Sequence, residues 1–336
     1  MRKMLTAFLL PAVFLLAALM ISTAAAENAA PEWADVVLNE RGFLDEGEYM
    51  LEDADNGHWM YVSRTLRIQI EKTWEQPEKI QPRDANQEFW CYTAEIWCDT
   101  EKGELPVTLW ADPENPGNRG ARNTVAAIAA GQQAVLAVST DLFTARDGNQ
   151  VGIVIRNGQI LYDAKAKHQT GGRPSIDTLA LYSDGHADSF LPTDKSAEEY
   201  LSEGAIQVYT FGPVLLRDGE IPEEVTKYCD RNLNPMHALG TAEPGHYIDI
   251  LCEGRLKYVN GSTGVMTETL AHILRERGCT FAVCLDGGDS AVMVFMGTQL
   301  NTVPKIPSGR VTCEALAFGV RKDEKANKNL DTVQEE

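Results

Sequence analysis

The densest group of chemically capable side chains is the run Leu-Asp-Gly-Gly-Asp-Ser at residues 285–290. Asp286 follows the apolar run 281–285, which is typical of a short buried strand. The two glycines let the backbone turn sharply and let a ligand approach its amides. With Asp289 and Ser290, the run can hold a divalent cation, supply a base or nucleophile, or bind sugar hydroxyls. The alternative is an ordinary tight turn in which an Asp caps nearby amides.

Gly288-Asp289-Ser290 also matches the start of the Gly-Asp-Ser-Leu motif of a lipase-like hydrolase family. A serine nucleophile of that kind needs a downstream His as its base. The last histidine of the chain is His272, which lies upstream of Ser290, so the sequence disfavours this chemistry. GxGxxG after a strand, GxxxxGK[ST] and HExxH motifs are all absent from the sequence.

Two arginines follow glycine-containing turns. Arg255 comes after residues 253–254, and Arg310 comes after residues 308–309. A guanidinium group can grip a phosphate through two parallel hydrogen bonds, so both arginines are candidate phosphate ligands. A surface salt bridge is the alternative for each of them.

The elements predicted to position these side chains are mainly antiparallel strands. Apolar and polar residues alternate with a period of two over 66–70 and 90–96. Several apolar runs are followed by a pair of residues that contains glycine. Such pairs favour tight turns, because glycine accepts a positive φ at little cost. These pairs are Asn157-Gly158, Asp184-Gly185, Asp218-Gly219 and Glu253-Gly254. The last pair predicts a hairpin between strands at 248–251 and 256–259.

Helices are predicted over 121–130 and 266–274, and Gly278 is placed to end the second. Together these elements predict an α+β protein, mostly antiparallel β-sheet with a few packed helices. We expect a single domain over residues 58–321.

Both ends of the chain differ from this domain. Residues 1–26 combine a basic start, an apolar middle and a small-residue end, which predicts a cleaved secretory signal peptide. Residues 27–57 are predicted to be an acidic spacer and residues 322–336 a disordered polar tail. The protein is therefore expected to be secreted or in the cell envelope, without a stable membrane span after cleavage. The net charge of −19 argues against nucleic-acid partners and anionic membrane surfaces.

The chain contains seven cysteines, and an exported protein can form disulfides. A disulfide between Cys91 and Cys98 could close a short loop. Cys252 and Cys284 lie in apolar runs, where cysteine usually acts as a small hydrophobic residue.

Residues 90–320 resemble the phosphodiester glycosidase family, whose hallmark is a Leu-Asp-Gly-Gly-Gly-Ser motif. The match rests on seven short blocks in the family's order. These blocks are Ser139-Thr140-Asp141-Leu142-Phe143, Phe211-Gly212-Pro213-Val214-Leu215, Asn234-Pro235 through Leu239-Gly240, Glu253-Gly254-Arg255, Ser262-Thr263-Gly264, Leu285 to Ser290 and Ser308-Gly309-Arg310.

The sequence departs from the family pattern at several positions. Asp289 replaces the third glycine of the hallmark motif, and Ala291 replaces a second serine. Met236 stands where the family usually carries Arg, and Ser139 where it usually carries Asn. The loss of the Arg predicts weaker phosphate binding or a different substrate, so fold transfers more safely than activity.

The resemblance implies an exported hydrolase that cleaves a sugar-1-phosphodiester in a glycan or envelope polymer at the C1–O bond. On this hypothesis Asp286 is the base, nucleophile or metal ligand. The remaining residues assigned by the resemblance are Arg255 and Arg310 on the phosphate, Asp141, Asp289 and Ser290 assisting at the sugar or a cation, and Gly287 and Gly288 in the pocket floor. Asp286 and Asp289 are the candidate ligands for a divalent cation, Ca²⁺ or Mg²⁺, and no other cofactor is indicated.

Two other functions remain open from the sequence. One is a non-catalytic envelope module that binds glycans or polymers through the same cleft. The other is a structural or partner-binding protein that uses the first 60 residues after the signal peptide. The sequence does not indicate an oligomeric state.

Overall fold

The computed structural model describes residues 36–82, 84–141, 152–163, 177–190, 194–228 and 231–321, and these fall in one compact unit. The predicted signal peptide and polar tail lie outside these ranges, so both stay predictions. None of the helices in these ranges has the length and apolar character needed to cross a bilayer.

The described residues form eighteen strands and four α-helices. The strands are β1 (Tyr49–Asp53), β2 (His58–Val62), β3 (Leu66–Glu75), β4 (Phe89–Cys98), β5 (Val107–Trp110), β6 (Ala134–Val138), β7 (Ile153–Arg156), β8 (Gln159–Asp163), β9 (Asp177–Tyr182), β10 (Ala187–Phe190), β11 (Ala205–Phe211), β12 (Val214–Leu216), β13 (Met236–Glu243), β14 (His246–Cys252), β15 (Phe281–Leu285), β16 (Met293–Phe295), β17 (Thr298–Gln299) and β18 (Glu314–Val320). The helices are α1 (Val125–Gly131), α2 (Ala197–Ser202), α3 (Glu223–Tyr228) and α4 (Thr267–Glu276).

Three antiparallel sheets carry the fold. The largest has the strand order β1-β2-β3-β4-β14-β13-β15-β12. The other two have the orders β10-β9-β11-β7-β8 and β17-β16-β6-β18-β5. This architecture confirms the predicted α+β class with its excess of antiparallel sheet.

The large sheet is apolar on both faces because each face packs on a different layer. On β4, Tyr92, Ala94 and Ile96 join a core shared with the other two sheets. Phe89 and Cys91, on the opposite face, pack in a second core with α4. Burying both faces fixes the register of these strands, since a shift by one residue would exchange the two sets of side chains.

Most predicted turns and helices are confirmed, including the hairpins β7–β8 and β9–β10 and the end of α4. The predicted strand over 256–259 is wrong. Val259 and Asn260 both donate their backbone N–H groups to the Leu256 carbonyl, which makes this segment a tight turn. Tyr258 is 96% exposed and Val259 72% exposed. Their apolar character therefore does not reflect burial in a sheet.

The first strand lies inside the segment predicted to be a spacer. β1 pairs with β2 along its full length, from Tyr49 opposite Val62 to Asp53 opposite His58. The sheet therefore begins before residue 58, and the predicted boundary is too late. Burial alternates along this edge strand, since Tyr49 and Leu51 are half-buried and Met50 is exposed. The acidic residues around it made this alternation hard to recognise in the sequence.

The short loop that Cys91 and Cys98 could have closed is excluded by the structure. Both residues lie on β4, seven positions apart, which corresponds to about 24 Å along an extended strand. Their side chains pack in different cores on opposite faces of the sheet. No backbone movement short of unfolding β4 would bring the two thiols together.

Candidate active site

The loop predicted to carry the chemistry connects β15 to β16 and rests on two neighbouring segments. The Asp286 N–H donates to the Thr140 carbonyl at 3.0 Å, just after β6. The Gly288 N–H donates to the Pro235 carbonyl, also at 3.0 Å, just before β13. The buried strand β15 therefore delivers Asp286 to a point where two sheets meet.

The two glycines of the loop are needed for different reasons. A side chain at Gly287 would place its Cβ 2.7 Å from the Pro235 carbonyl oxygen, which is closer than real atoms approach. Gly288 has φ +62°, in the left-handed region that favours glycine. These constraints support the prediction that both positions keep the backbone free of side chains.

Arg255 lies next to this loop, as the sequence predicted. A Cβ built on Gly288 would lie 3.5 Å from Nη1 of Arg255, so the guanidinium lies over that glycine. Nη2 donates to Oδ1 of Asn234 at 2.6 Å. Arg255 is exposed and has φ +59°, an unusual backbone conformation for a residue other than glycine.

The turn that carries Arg255 is fixed by a buried carboxylate. Oε1 of Glu253 accepts from the Thr302 N–H at 2.7 Å, and Oε2 accepts from Nδ2 of Asn260 at 2.5 Å. Glu253 is itself 1% exposed. Charge-assisted hydrogen bonds of this kind hold the turn in one conformation.

Arg310 reaches the loop through its backbone. Its N–H donates to the Asp289 carbonyl at 2.9 Å, and its side chain is exposed. The structure thus brings both predicted arginines to the segment that begins with Asp286. Asp286 and Asp289 are half-buried, so the segment is neither sealed in the interior nor fully solvated.

Two polar atoms of the loop are buried without a hydrogen-bond partner among the described residues. They are Oδ1 of Asp289 and Oγ of Ser290. Buried polar atoms are normally paired, because an unpaired one costs about 1–3 kcal/mol. Both atoms belong to the loop whose Gly288 lies next to the Arg255 guanidinium.

A divalent cation at Asp286 and Asp289 stays a prediction. Two carboxylates in one loop supply suitable oxygen ligands. The described part of the chain holds no cluster of three or more His, Cys, Asp or Glu side chains placed to share a metal ion.

Asp141 lies in a different environment from the one expected. Both of its oxygens are 3.1 Å from Nη2 of Arg156, and Oδ2 also accepts from the Thr210 N–H at 2.9 Å. Asp141 and Arg156 are 2% and 1% exposed. Leu142 and Phe143, from the same family-like block, lie outside the described residues.

Glu314 completes this buried ion-pair cluster. Its two oxygens accept from Nε and Nη2 of Arg156 at 2.9 and 2.8 Å. Burial raises the pKa of Glu314, although the Arg156 guanidinium opposes that rise. Burial alone would lower the pKa of Arg156, but the Glu314 and Asp141 carboxylates raise it overall. Two anions and one cation thus share an interior site that the arginine holds together.

A buried hydrogen-bonded relay behind the loop was missed by the sequence analysis. Nε2 of His237 donates to Oδ2 of Asp249 at 2.8 Å, and Nδ1 lies 3.3 Å from Oγ of Ser139. Ser139 Oγ also accepts from the Val292 N–H at 3.3 Å. The only sequence signal was a polar residue inside each of two apolar strands, and their pairing depends on the β13–β14 register.

The relay lies directly beneath the loop. His237 is opposite Leu285 in the β13–β15 register, so the next residue of β15 is Asp286. Ser139 immediately precedes Thr140, whose carbonyl holds the Asp286 amide. Met236, where the family usually carries Arg, is half-buried and its sulfur lies 4.0 Å from the Thr267 hydroxyl.

Comparison with solved structures identifies similar folds. The catalytic domain of zebrafish N-acetylglucosamine-1-phosphodiester α-N-acetylglucosaminidase, auto-inhibited by its pro-peptide, has a TM-score of 0.56 and 18% sequence identity, covering 82% of this chain and 88% of that chain. A hypothetical protein from Synechocystis has a TM-score of 0.50 and 14% identity, covering 77% of this chain and 63% of that chain. At these identities the likeness shows the fold alone.

Comparison with curated protein sequences gives no match. The family model described as phosphodiester glycosidase matches residues 132–317. This match includes both predicted arginines and the whole Asp286 loop, and it spans more than half of the 336 residues. The chain therefore belongs to the phosphodiester glycosidase family, which supports a glycosidase-type function.

Proposed function

We propose that the protein is an exported hydrolase that cleaves a sugar-1-phosphodiester at the glycosidic C1–O bond. The observation that carries the proposal is the half-buried Asp286 loop with the Arg255 guanidinium over Gly288. A loop that carries a carboxylate and lies next to a cation matches a substrate whose reacting carbon is joined directly to a phosphate. Export rests on the signal-like residues 1–26.

The proposed chemistry follows from the two ends of the scissile bond. Cleavage at C1 develops positive charge on the sugar ring, which a nearby carboxylate stabilises or captures. We assign this role to Asp286. The departing phosphate carries negative charge, and Arg255 and Arg310 are the cations that neutralise it. Phosphate is a good leaving group, so little proton transfer to it is required.

The other loop residues are proposed to bind the sugar. Oδ1 of Asp289 and Oγ of Ser290 are buried polar atoms that sugar hydroxyls can pair with. Gly287 and Gly288 leave room for the substrate above the backbone. We assign Asp141 to structural support, because both of its oxygens already bind Arg156 and the Thr210 amide.

Hydrolysis in ¹⁸O-labelled water tests this proposal. The purified protein is incubated with N-acetylglucosamine-1-phosphodiesters and related glycosyl phosphodiesters, and both products are analysed by mass spectrometry. Cleavage at C1–O places the label on the released sugar and leaves a phosphomonoester unlabelled. Label in the phosphate, or no sugar release from any of these compounds, contradicts the proposal.

A non-catalytic glycan- or polymer-binding module is the second candidate. The observation that favours it is Met236, which is an uncharged residue at a position where the family usually carries Arg. A binding module would raise its melting temperature with a sugar-1-phosphodiester without releasing sugar. The same set of compounds therefore separates the two functions.

A further inference from the structure

Two cysteines from different strands meet in the core that packs against α4. Sγ of Cys91 on β4 lies 3.9 Å from Sγ of Cys252 on β14. The two residues are directly opposite each other in the strand register, and both are fully buried. The other cysteine of β4, Cys98, faces the other core and serves as an internal comparison.

The ladder geometry at this pair suits a disulfide. Cys98 donates its N–H to the Gly245 carbonyl, and Glu253 donates to the Trp90 carbonyl. Residues 98 and 245, and residues 90 and 253, therefore face each other as hydrogen-bonded pairs. Hydrogen-bonded and non-hydrogen-bonded pairs alternate along an antiparallel ladder, so Cys91 and Cys252 form a non-hydrogen-bonded pair. Such pairs have Cα atoms about 4.5 Å apart, within the 4.4–6.8 Å that a disulfide spans.

We propose that Cys91 and Cys252 form a cross-strand disulfide. Each thiol loses one proton, and the two electrons pass to a small-molecule disulfide, which is reduced to two thiols. One of the two thiolates attacks a sulfur of the oxidant and releases its first thiol, and the other cysteine then displaces the second thiol from the mixed disulfide.

The timing of this reaction follows from burial. Both thiols are 0% exposed, so an oxidant of glutathione size cannot reach them in the closed sheet. We therefore expect the bond to form during folding, before the pairing of β4 with β14 is complete. The folded, reduced protein should oxidise slowly under the same conditions.

The cross-link would clamp the strands from which the Arg255 turn emerges. The Glu253 N–H donates to the Trp90 carbonyl at 2.9 Å, one residue beyond the cysteines on each strand. Arg255 follows two residues later. The bond would therefore limit opening of the ladder where that turn begins to leave the sheet, independently of any activity of the protein.

Refolding in a glutathione redox buffer tests the proposal. After alkylation of the remaining thiols, a digest without reductant should contain one peptide pair joined through Cys91 and Cys252. Cross-linked protein should melt on the order of 5–10 °C above reduced protein. The amides of Glu253 and Arg255 should exchange with deuterium more slowly in the cross-linked form.

Matched variants identify the origin of the shift. Cys91→Ala and Cys252→Ala should each abolish the difference between oxidised and reduced melting temperatures, and Cys98→Ala should retain it. The digest of the wild-type protein detects the disulfide directly, so the test still works if a variant fails to fold. Alkylation of both Cys91 and Cys252 after oxidative refolding, or a link to a different cysteine, overturns the disulfide. Equal exchange at the Arg255 turn overturns the clamp.

Discussion

Replacing Arg156 with Met should destabilise the protein by about 3–5 kcal/mol near pH 8, because it leaves two buried carboxylates without their cation. In the native protein Arg156 donates four hydrogen bonds to Asp141 and Glu314. It also donates to the Val208 carbonyl. Methionine fills much of the same space but supplies no positive charge and no donor.

The size of this loss follows from burial. The Arg156 and Glu314 side chains are both 0% exposed, and Asp141 is 3% exposed, so water cannot replace the lost partners. Removing one member of a buried ion pair typically costs about 3–5 kcal/mol. Because domains are stable by only about 5–15 kcal/mol, the variant should lose a large part of its stability.

The loss should shrink at acidic pH. Burial raises the folded-state pKa of Glu314 above its usual 4.5, and removing Arg156 removes the main opposing influence. A carboxyl group whose folded pKa is raised favours the folded state below its unfolded pKa, and this contribution is lost as the pH rises through the folded value. The variant is therefore expected to be closer to wild type at pH 5 than at pH 8.

Urea unfolding followed by tryptophan fluorescence measures both effects. Lys227→Met is the control, because Lys227 forms an exposed pair with Glu223 and should change stability by less than about 0.5 kcal/mol. A loss of stability below about 1 kcal/mol at pH 8 for Arg156→Met, or a loss that grows on acidification, would show that Arg156 does not stabilise the fold by pairing with the buried carboxylates.

Three further substitutions probe the loop and the relay beneath it. Arg255→Met should raise KM for a sugar-1-phosphodiester by roughly 10–100-fold, because a charge-assisted hydrogen bond is lost, while the melting temperature stays unchanged. Gly287→Ala should cost about 1–3 kcal/mol in urea unfolding, because its Cβ would lie 2.7 Å from the Pro235 carbonyl oxygen. His237→Leu should cost at least about 2 kcal/mol in the same assay, because it removes the donor to the buried Asp249.

Each of these has a matched control. Lys257→Met removes an exposed cation from the turn that carries Arg255 and should leave KM unchanged. Gly131→Ala has open space around the added Cβ, and His272→Leu changes a histidine outside the buried relay. If a control and its test variant behaved alike, the proposed cause of that effect would be wrong.

The local features of the fold were predictable from sequence because they depend on neighbouring residues. Glycine-containing turns such as Asn157-Gly158 set the hairpins, and alternation along β3 and β4 set the buried faces. The segment from Asp286 to Ser290 was recognisable because an apolar strand leads into Asp286 and two glycines separate Asp286 from Asp289 and Ser290.

Other features were not predictable because they depend on partners distant in sequence. The His237–Asp249 pair and the meeting of Cys91 with Cys252 both require a specific register between strands. The environment of Asp141 depends on Arg156, which lies on another sheet from Glu314. The strand predicted over 256–259 was wrong for a different reason, because Tyr258 and Val259 are apolar residues that lie exposed in a turn.

The activity of Asp286→Asn on a glycosyl-1-phosphodiester that the wild-type protein hydrolyses tests the proposed role of Asp286 most directly. The substitution keeps the size of the side chain and removes the negative charge proposed to act at C1. We expect kcat to fall by roughly 10²–10⁴-fold, with a melting temperature close to that of wild type. Turnover equal to wild type in a variant that folds normally would show that the Asp286 carboxylate does not act at C1.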